Sequence, residues 1–226
     1  MMETVVILCD GEFPKKAYPL WLLETADAVF CCDGALRKYL NHTRKRFGTE
    51  RAPEAVIGDM DTLSPALRKR YADRIVRIAE QDDNDMTKAL RHVLTHHPEV
   101  HSIHFLGATG LREDHTVGNM SLLMEYPRLF GCAGLSEQSQ GPTVDIVSDY
   151  GTMFAVTDTC ELAVGEGRRV SLFCPDNSLN LQSEGLVWST DAVVFDNWWK
   201  ATLNRASADT IKLTFSHPSR VLVCLD

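Results

Sequence analysis

The sequence lacks the basic excess that binding to a nucleic-acid backbone requires. Its 226 residues include 31 Asp and Glu side chains against 23 Lys and Arg, which gives a formal net charge of −8. Because a protein that neutralises phosphates needs a basic face, this balance argues against nucleic acid as a partner. An acidic protein can still bind anions through metal ions and backbone N–H groups.

Paired cysteines and long apolar runs are also missing. The seven cysteines form no C-x-x-C pair and no regular spacing, so neither a disulfide framework nor a zinc site is predicted. The first apolar run stops at Asp10 and follows an acidic residue, Glu3, which does not fit a signal peptide. No run approaches the ~20 apolar residues of a membrane span. We therefore expect a cytoplasmic protein with reduced thiols and no membrane partner.

Glycine and proline are few, at 14 and 9, and 44% of the residues are hydrophobic, which predicts an ordered chain with a packed core. Short β-branched runs alternate with helix-length segments in the first part of the chain. This βαβ alternation predicts an α/β domain over residues 1–142, Rossmann-like, with a mostly parallel sheet and flanking helices. The runs that we interpret as its strands are 5–9, 28–32, 55–57, 75–78 and 103–106.

The pattern changes after residues 131–142, a Gly, Ser and Gln-rich stretch that predicts a long loop near a domain boundary. Beyond it, short strand candidates follow one another, including 192–195, and no amphipathic helix of normal length is visible. Residues 143–226 are therefore predicted to form an antiparallel β-sandwich.

Acidic residues follow several of the predicted strands. Asp59 and Asp61 follow one strand, Asp33 follows another, and Asp82 and Asp85 lie in an acidic loop after a third. Ligands of an open parallel sheet bind outside the carboxyl ends of its strands. A lone Asp there usually forms a turn or caps a helix, but several together raise one another's pKa unless a cation offsets them. Oxygen ligands of this kind suit Mg²⁺ bound with substrate phosphates, and a solvated acidic surface is the alternative.

A glycine-rich turn at residues 107–110 follows the last predicted strand of the α/β domain. Such turns let backbone N–H groups approach a phosphate, although a tight strand-to-helix connection needs the same glycines. Arg112 and Asp114 stand beside the turn. Arg112 is suited to binding a phosphate, and Asp114 is suited to orienting that arginine. A surface ion pair is the alternative.

Taken in order, these segments resemble the thiamine pyrophosphokinase family. The resemblance implies an α/β catalytic domain, a C-terminal β-sandwich and a homodimer. It also implies Mg²⁺-dependent transfer of diphosphate from ATP to the hydroxyethyl group of thiamine, with AMP released and Mn²⁺ as a possible substitute metal. The segments that carry it are Asp33-Gly34-Ala35, Gly58-Asp59-Met60-Asp61, Gln81-Asp82-Asp83-Asn84-Asp85, Arg112-Glu113-Asp114-His115 and Gly185-Leu186-Val187-Trp188.

The resemblance assigns roles to individual residues in three groups. The metal ligands would be Asp59, Asp61 and Asp85, with Asp82 as a base toward the thiamine hydroxyl or as a holder of the metal's water. The nucleotide would be bound by Asp33, Gly34, Arg112, Asp114 and His115. Thiamine would be bound by Gln81, Asn204 and Trp188, the last of which each site would borrow from the partner's sandwich.

The chain departs from the family pattern at a few positions. Met60, Thr62 and Asn84 stand where the family commonly has Phe, Ser and Thr, and the last of these removes a hydroxyl near the site. The family's late Ser-Asn motif is represented here by Thr202-Leu203-Asn204, of which Asn204 carries over.

Two other functions are compatible with parts of the sequence. The segment Gly58-Asp59-Met60-Asp61 also resembles the D-x-D loop of haloacid dehalogenase-type phosphohydrolases, in which the first Asp is a nucleophile. That loop usually follows the first strand of its fold, whereas two strand candidates precede it here. A non-catalytic thiamine or nucleotide sensor would keep the pocket and lose the acids at positions 59, 61 and 85, and all three are present.

Overall fold

The computed structural model describes residues 2–134 and 141–226 and divides the chain into two compact units. The first comprises Met1–Asn119 with Val147–Asp149, and the second comprises Met120–Ile146 with Tyr150–Asp226. Much of the predicted loop at 131–142 lies outside the described residues, and the domain boundary between residues 142 and 143 stays a prediction. Within the described ranges, no helix is both long enough and apolar enough to cross a membrane.

The first unit is built on a parallel sheet, as the βαβ pattern predicted. Its five strands run in the order β5-β1-β2-β3-β4, and every neighbouring pair is parallel. In chain order its elements are β1 (Thr4–Leu8), α1 (Ala17–Thr25), β2 (Ala28–Cys32), α2 (Ala35–Phe47), β3 (Ala55–Gly58), α3 (Pro65–Arg70), a short 3₁₀ helix (Ala72–Arg74), β4 (Ile75–Arg77), α4 (Asp85–His96), β5 (Ser102–Leu106) and α5 (Glu113–Phe130), which continues into the second unit.

Local chemistry explains where these elements begin. Strands β2 and β3 are buried along their whole length, as expected for central strands covered on both faces. Helix α3 begins after Ser64, whose hydroxyl accepts a hydrogen bond from the Leu67 N–H, with Pro65 in the first helical position. Helix α4 begins after Asn84, whose Oδ1 accepts from the Thr87 N–H at 3.0 Å. These caps fix the ends of the two acidic loops that precede the helices.

The second unit is antiparallel β structure, as predicted for the C-terminal part of the chain. Four strands pair in the order β11-β9-β13-β7, and three more pair in the order β10-β12-β8. Its hydrophobic core includes Phe154, Leu172 and Ile211. The remaining strands of the chain are β6 (Thr143–Ser148), which contains a unit boundary, β7 (Gly151–Val156), β8 (Cys160–Ala163), β9 (Arg169–Phe173), β10 (Leu181–Glu184), β11 (Ala201–Arg205), β12 (Thr210–Phe215) and β13 (Val221–Leu225).

The strand predicted at residues 192–195 is wrong. This segment forms a turn and irregular backbone, in which the Val193 N–H donates to the Thr190 carbonyl at 2.8 Å. Its hydrophobic residues take separate positions, since Phe195 is buried in the core and Val194 is exposed. Strands β10 and β11 were not predicted, because Gln, Ser, Asn and Arg interrupt their apolar positions.

An aspartate after β9 joins two loops of the second unit. Asp176 accepts hydrogen bonds from the Ser178 hydroxyl at 2.6 Å, the Ser219 hydroxyl at 2.8 Å and the His217 ring at 3.1 Å. The Ser178 hydrogen bond, followed by those from Ser219 and His217, holds the pKa of Asp176 well below its ordinary value. A carboxylate with this many donors is more stable ionised in the folded chain than in the unfolded chain.

We expect Asp176→Ala to lower the free energy of unfolding by about 1 to 2 kcal/mol at neutral pH, through loss of charge-assisted hydrogen bonds. Because the folded pKa is depressed below 3.8, this stabilisation is present above that pH and is lost as the pH falls further. Urea unfolding of both proteins near pH 7 and near pH 3 measures the difference. Exposed Asp73, replaced by Ala, is the control, and a difference independent of pH would contradict the assignment.

Candidate functional site

Three carboxylates meet at the carboxyl ends of two neighbouring strands in the first unit. Asp33 follows β2, and Asp59 and Asp61 follow β3. One carboxylate oxygen of each residue lies within 4.8 Å of the corresponding oxygens of the other two. In the described part of the chain, these three residues are the acidic, histidine or cysteine side chains close enough together to hold a metal ion. Asp33 is buried, Asp59 is half-buried and Asp61 is exposed. The sheet therefore brings together the acids that the sequence placed after separate strands. We call Asp33, Asp59 and Asp61 the acid cluster.

Hydrogen bonds hold the cluster in place. Asp33 Oδ2 accepts from the Thr62 N–H at 3.1 Å, and Asp59 Oδ1 accepts from the Asp61 N–H at 3.1 Å. Asp59 Oδ2 accepts from Gln81 Nε2 at 3.0 Å, so Gln81 contacts an acid of the site. The other oxygen of Asp33, Oδ1, is buried and has no hydrogen-bond partner. A buried acceptor without a donor is unfavourable unless something else satisfies it.

Burial and hydrogen bonding push the pKa values of the cluster in opposite directions. Burial raises the pKa of Asp33, and the neighbouring Asp61 carboxylate raises it further. The hydrogen bond from Gln81 lowers the pKa of Asp59, with the Asp61 N–H acting in the same direction. Asp59 is therefore favoured in its ionised form, whereas burial disfavours the charge of Asp33, which a nearby cation would stabilise.

Asp85 lies close to the cluster without belonging to the group within 4.8 Å. It is the first residue of α4, and its carboxylate lies against Gly58 at the end of β3. A Cβ atom at Gly58 would stand 3.0 Å from Asp85 Oδ2, and Gly58 has a φ of 150°, so glycine permits this close approach. The structure thus groups Asp33 with Asp59 and Asp61, whereas the predicted metal ligands were Asp59, Asp61 and Asp85.

A buried lysine supplies positive charge to these acids. Lys88 is 2% exposed, and its Nζ lies 3.7 Å from Asp85 Oδ1, one helical turn earlier. Burial raises the pKa of Asp85 to about 6, the Lys88 ammonium opposes that rise, and the acid cluster adds to it. No role was predicted for Lys88 from the sequence. Its spacing, three residues after Asp85 on α4, indicates an ion pair but does not indicate that the lysine is buried.

The loops after β1 and β5 are tied to each other beside this edge of the sheet. The Gly11 N–H donates to the Gly107 carbonyl at 2.7 Å, and a Cβ at Gly11 would stand 2.3 Å from that oxygen. Lys38 Nζ donates to the carbonyls of Asp10 and Gly11 at 2.7 and 2.8 Å and pairs with the Asp10 carboxylate at 2.6 Å. A Cβ at Gly34 would lie 2.3 Å from Asp10 Oδ2, so Gly34 is where the β1 loop approaches helix α2. Sequence reasoning identified Asp10 as the end of the first apolar run and missed its contacts with Lys38 and Gly34.

Arg112 and Asp114 form the ion pair that the sequence suggested. Arg112 Nε and Nη2 donate to the two carboxylate oxygens of Asp114 at 3.1 and 2.6 Å. The backbone N–H of His115 donates to Asp114 Oδ1 at 2.9 Å. Arg112 and the His115 N–H together lower the pKa of Asp114. Both side chains of the pair are 65% exposed, so the pair lies open to solvent.

The acidic loop before α4 is organised by its own side chains. Glu80 Oε2 accepts from the N–H groups of Asp82 and Asp83 at 2.8 and 3.1 Å, and the Asp82 side chain is exposed. Asn84 caps α4 and also donates from Nδ2 to Asn119 Oδ1 at 2.7 Å. The carboxamide thus accepts at its oxygen to cap the helix and donates from its nitrogen to Asn119, whereas in a threonine one hydroxyl oxygen would have to do both.

The predicted thiamine contacts of the C-terminal part lie together in the second unit. Trp188 and Asn204 line a cavity of about 200 Å³ with Thr190, Lys200 and Leu203. Trp188 is 61% exposed, whereas Asn204 is buried and hydrogen-bonded to the Trp188 backbone. Trp188 is therefore not a core residue.

The acid cluster fits a magnesium ion by its donors. All its ligand atoms are carboxylate oxygens, the set that Mg²⁺ prefers, and neither histidine nor cysteine belongs to it. The unsatisfied Asp33 Oδ1 is an acceptor that a cation would satisfy.

Comparison with known proteins supports a family assignment. A profile described as thiamin pyrophosphokinase, catalytic domain, matches residues 20–130, and one described as thiamin pyrophosphokinase, substrate-binding domain, matches residues 151–223. The two matches cover most of the chain and fall largely on the parallel-sheet unit and on the antiparallel unit. The chain therefore belongs to the thiamin pyrophosphokinase family.

Curated relatives match over part of their length. Thiamine pyrophosphokinase 1 of Oryza sativa subsp. japonica is 24% identical over 140 residues, which are 55% of this chain and 52% of the relative. Thiamine pyrophosphokinase 1 of Arabidopsis thaliana is 25% identical over 138 residues, 54% of this chain and 51% of the relative. The matched segment thus spans about half the length of these relatives.

Solved structures resemble the whole chain. The structure of yeast thiamin pyrophosphokinase has a TM-score of 0.76 and 16% identity, and covers 100% of this chain and 87% of its own. Thiamin pyrophosphokinase from Candida albicans has a TM-score of 0.72 and 17% identity, with 99% and 89% covered. At these identities the likeness shows the shared fold.

We expect Lys88→Met to lower the free energy of unfolding of the metal-free protein by roughly 1 to 2 kcal/mol, because it leaves the half-buried Asp85 carboxylate without its buried partner, and solvent screens part of that charge. Chemical denaturation in the presence of EDTA measures the loss. Lys69→Met, at an exposed position on α3, removes the same charge from the surface and is the matched control. Equal stability of the two variants would show that Lys88 does not offset the acids.

Proposed function

We propose that this chain is a thiamine diphosphokinase, which transfers diphosphate from ATP to thiamine and releases AMP. The observation that carries the proposal is the acid cluster at the carboxyl ends of β2 and β3, in a chain that matches both domains of the family. ATP and thiamine are then the two substrates, and nucleic acid has no part in the reaction.

We propose that Asp59, Asp61 and Asp85 hold Mg²⁺, with Mn²⁺ as a possible substitute, and that Asp33 completes the oxygen set on the nucleotide side. When bound, the metal neutralises negative charge on the phosphoryl oxygens. Gln81 keeps the Asp59 carboxylate in a fixed orientation through its 3.0 Å hydrogen bond. The Nζ of Lys88 lies 3.7 Å from Asp85 Oδ1 and pairs with that carboxylate.

The reaction needs the thiamine hydroxyl held in line with the β-phosphorus of ATP, and positioning of this kind supplies most of the catalysis in phosphoryl transfer. Asp82, whose carboxylate is exposed, is the proposed acceptor of the hydroxyl proton or the holder of a metal-bound water. Arg112, oriented by Asp114 and beside His115, is proposed to contact the nucleotide phosphates. Gly34 lies at the N-terminus of α2, where backbone N–H groups favour an anion.

Trp188 is the proposed binding surface for thiamine. Thiamine carries a cationic ring, and an exposed indole attracts such a ring by stacking and cation–π interaction worth roughly 0.5–2 kcal/mol. The exposed ring of Trp188 beside a cavity of about 200 Å³ supports this role. A homodimer and a cytoplasmic location stay predictions, and sedimentation of the purified protein tests the first.

The phosphohydrolase alternative has less support. Its D-x-D loop belongs after the first strand of the fold, whereas Asp59 and Asp61 follow β3. A non-catalytic sensor would have no need of the acid cluster, which is held by hydrogen bonds at the sheet edge.

The direct test is the nucleotide product. The purified chain is incubated with ATP, Mg²⁺ and thiamine, and the products are resolved by chromatography. AMP together with thiamine diphosphate is expected, and excess EDTA should abolish both. Formation of ADP or free phosphate instead would refute the proposal, as would full activity in EDTA.

We expect Asp61→Asn to reduce turnover more than tenfold and leave the fold intact, because the exposed Asp61 carboxylate serves the metal rather than the core. Turnover at saturating Mg²⁺ and the thermal midpoint are measured together. Asp73→Asn, at an exposed position in the short 3₁₀ helix between the two acidic loops, is the control. Retention of more than about a tenth of the wild-type rate, which corresponds to less than ~1.4 kcal/mol of barrier, would remove Asp61 from the metal site.

A further inference from the structure

The side chain of Asn204 is committed to backbone groups of its own unit. Its Oδ1 accepts from the N–H groups of Trp188 at 3.2 Å and Arg205 at 2.8 Å, and its Nδ2 donates to the Trp188 carbonyl at 2.7 Å. Asn204 is 6% exposed. A carboxamide has two acceptor sites and two donor hydrogens, so three of its four hydrogen bonds are already made within the protein.

These contacts extend a short backbone pairing by one residue. Leu186 and Ala206 form an antiparallel bridge, and the Val187 N–H donates to the Arg205 carbonyl at 2.9 Å. At Trp188 the backbone pairing gives way to the Asn204 side chain, which bonds both the N–H and the carbonyl of Trp188 as a paired strand would.

An irregularity in β11 accompanies this arrangement. The register of β11 against β9 shifts between Ala201 and Asn204, and Leu203 has a φ of 60°, which is strained for a leucine. The Leu203 N–H is held by the Ser171 hydroxyl at 3.0 Å. Bulges of this type redirect a side chain, and here the redirected side chain is that of Asn204, which lies inward while Leu203 is 85% exposed.

The result is an exposed aromatic ring on a fixed backbone. Trp188 is 61% exposed, so its ring has little packing to define its place. Both polar groups of its backbone are bonded to one buried side chain. With its backbone fixed, Trp188 has only its side-chain torsions left to order when a flat ligand binds, which lowers the entropic cost of binding.

We propose that Asn204 is a positioning residue that presents Trp188 to thiamine, and that it makes no contact with thiamine itself. This inference rests on the proposed function and changes the role that the family resemblance gives to Asn204. Two separate measurements test it, one of which needs no thiamine.

The first measurement is hydrogen exchange of the peptide that contains Trp188, followed by mass spectrometry. Asn204→Ala, and Asn204→Ser as a second variant with a short polar side chain, should exchange this peptide at least tenfold faster than wild type. Peptides from β12 and β13 should be unchanged. Asn177→Ala, at an exposed asparagine of the same unit, is the control. Unchanged exchange at Trp188 in both Asn204 variants would show that Asn204 does not fix the Trp188 backbone, and would overturn the proposal.

The second measurement is a double-mutant cycle on the KM for thiamine. We expect Trp188→Ala to raise this KM several-fold and leave the KM for ATP nearly unchanged, and Asn204→Ala to raise the thiamine KM in the same way. The double variant should be no worse than Trp188→Ala alone, because Asn204 acts through the tryptophan. Multiplied effects would mean that Asn204 contacts thiamine directly and would overturn the proposal.

Structural damage has a different signature. A rise in both KM values with a large fall in the thermal midpoint would show that Asn204 supports the sandwich as a whole, and this too would overturn the proposal. Absence of thiamine turnover in the wild type would refute the proposed function and the presentation of Trp188 to thiamine, and the exchange data would still decide whether Asn204 fixes Trp188.

Discussion

Repulsion among carboxylates at one edge of a parallel sheet is the constraint on which the first unit depends. Parallel strands deliver their carboxyl ends to the same edge, and here those ends carry Asp33, Asp59 and Asp61, with Asp85 close by. Such a group is stable only with compensating charge and donors. Lys88, the Gln81 amide and backbone N–H groups supply part of that compensation. The buried Asp33 Oδ1 has no hydrogen-bond donor. Its ionised carboxylate is therefore unfavourable in free energy, and a bound cation would stabilise it.

The fold was largely predictable because its first part follows a strong pattern. Runs that are apolar on both faces leave few structures other than central parallel strands, and β2 matches its predicted bounds of 28–32. Prediction failed where polar and apolar residues share an element. Strand β11 carries Thr202, Asn204 and Arg205, and nothing in that composition distinguishes it from a loop. The apolar run at 192–195 was predicted as a strand and is not one. Hydrophobicity accounts for the burial of Phe195 but does not by itself produce an extended, paired backbone.

The candidate site was predictable in its chemistry and less so in its grouping. Spacing shows that Asp59 and Asp61 belong to one loop, but which third acid joins them depends on the order of strands in the sheet. Because β2 neighbours β3, Asp33 enters the group, whereas Asp85 approaches from helix α4 against Gly58. Buried charge such as that of Lys88 is equally hidden from a sequence, since an exposed helical lysine has the same spacing.

The two units place their functional side chains by different physical means. In the first unit, regular secondary structure does the work, since strand ends and helix caps fix where each carboxylate lies. In the second unit, an irregularity does it: a register shift in β11 and a left-handed Leu203 turn the Asn204 carboxamide inward to bond the Trp188 backbone. Regular elements can be read from periodicity, whereas the partner of a single buried carboxamide depends on a bulge that no periodicity marks. For this reason a family motif that includes Asn204 does not distinguish a residue that contacts a ligand from one that holds the residue that does.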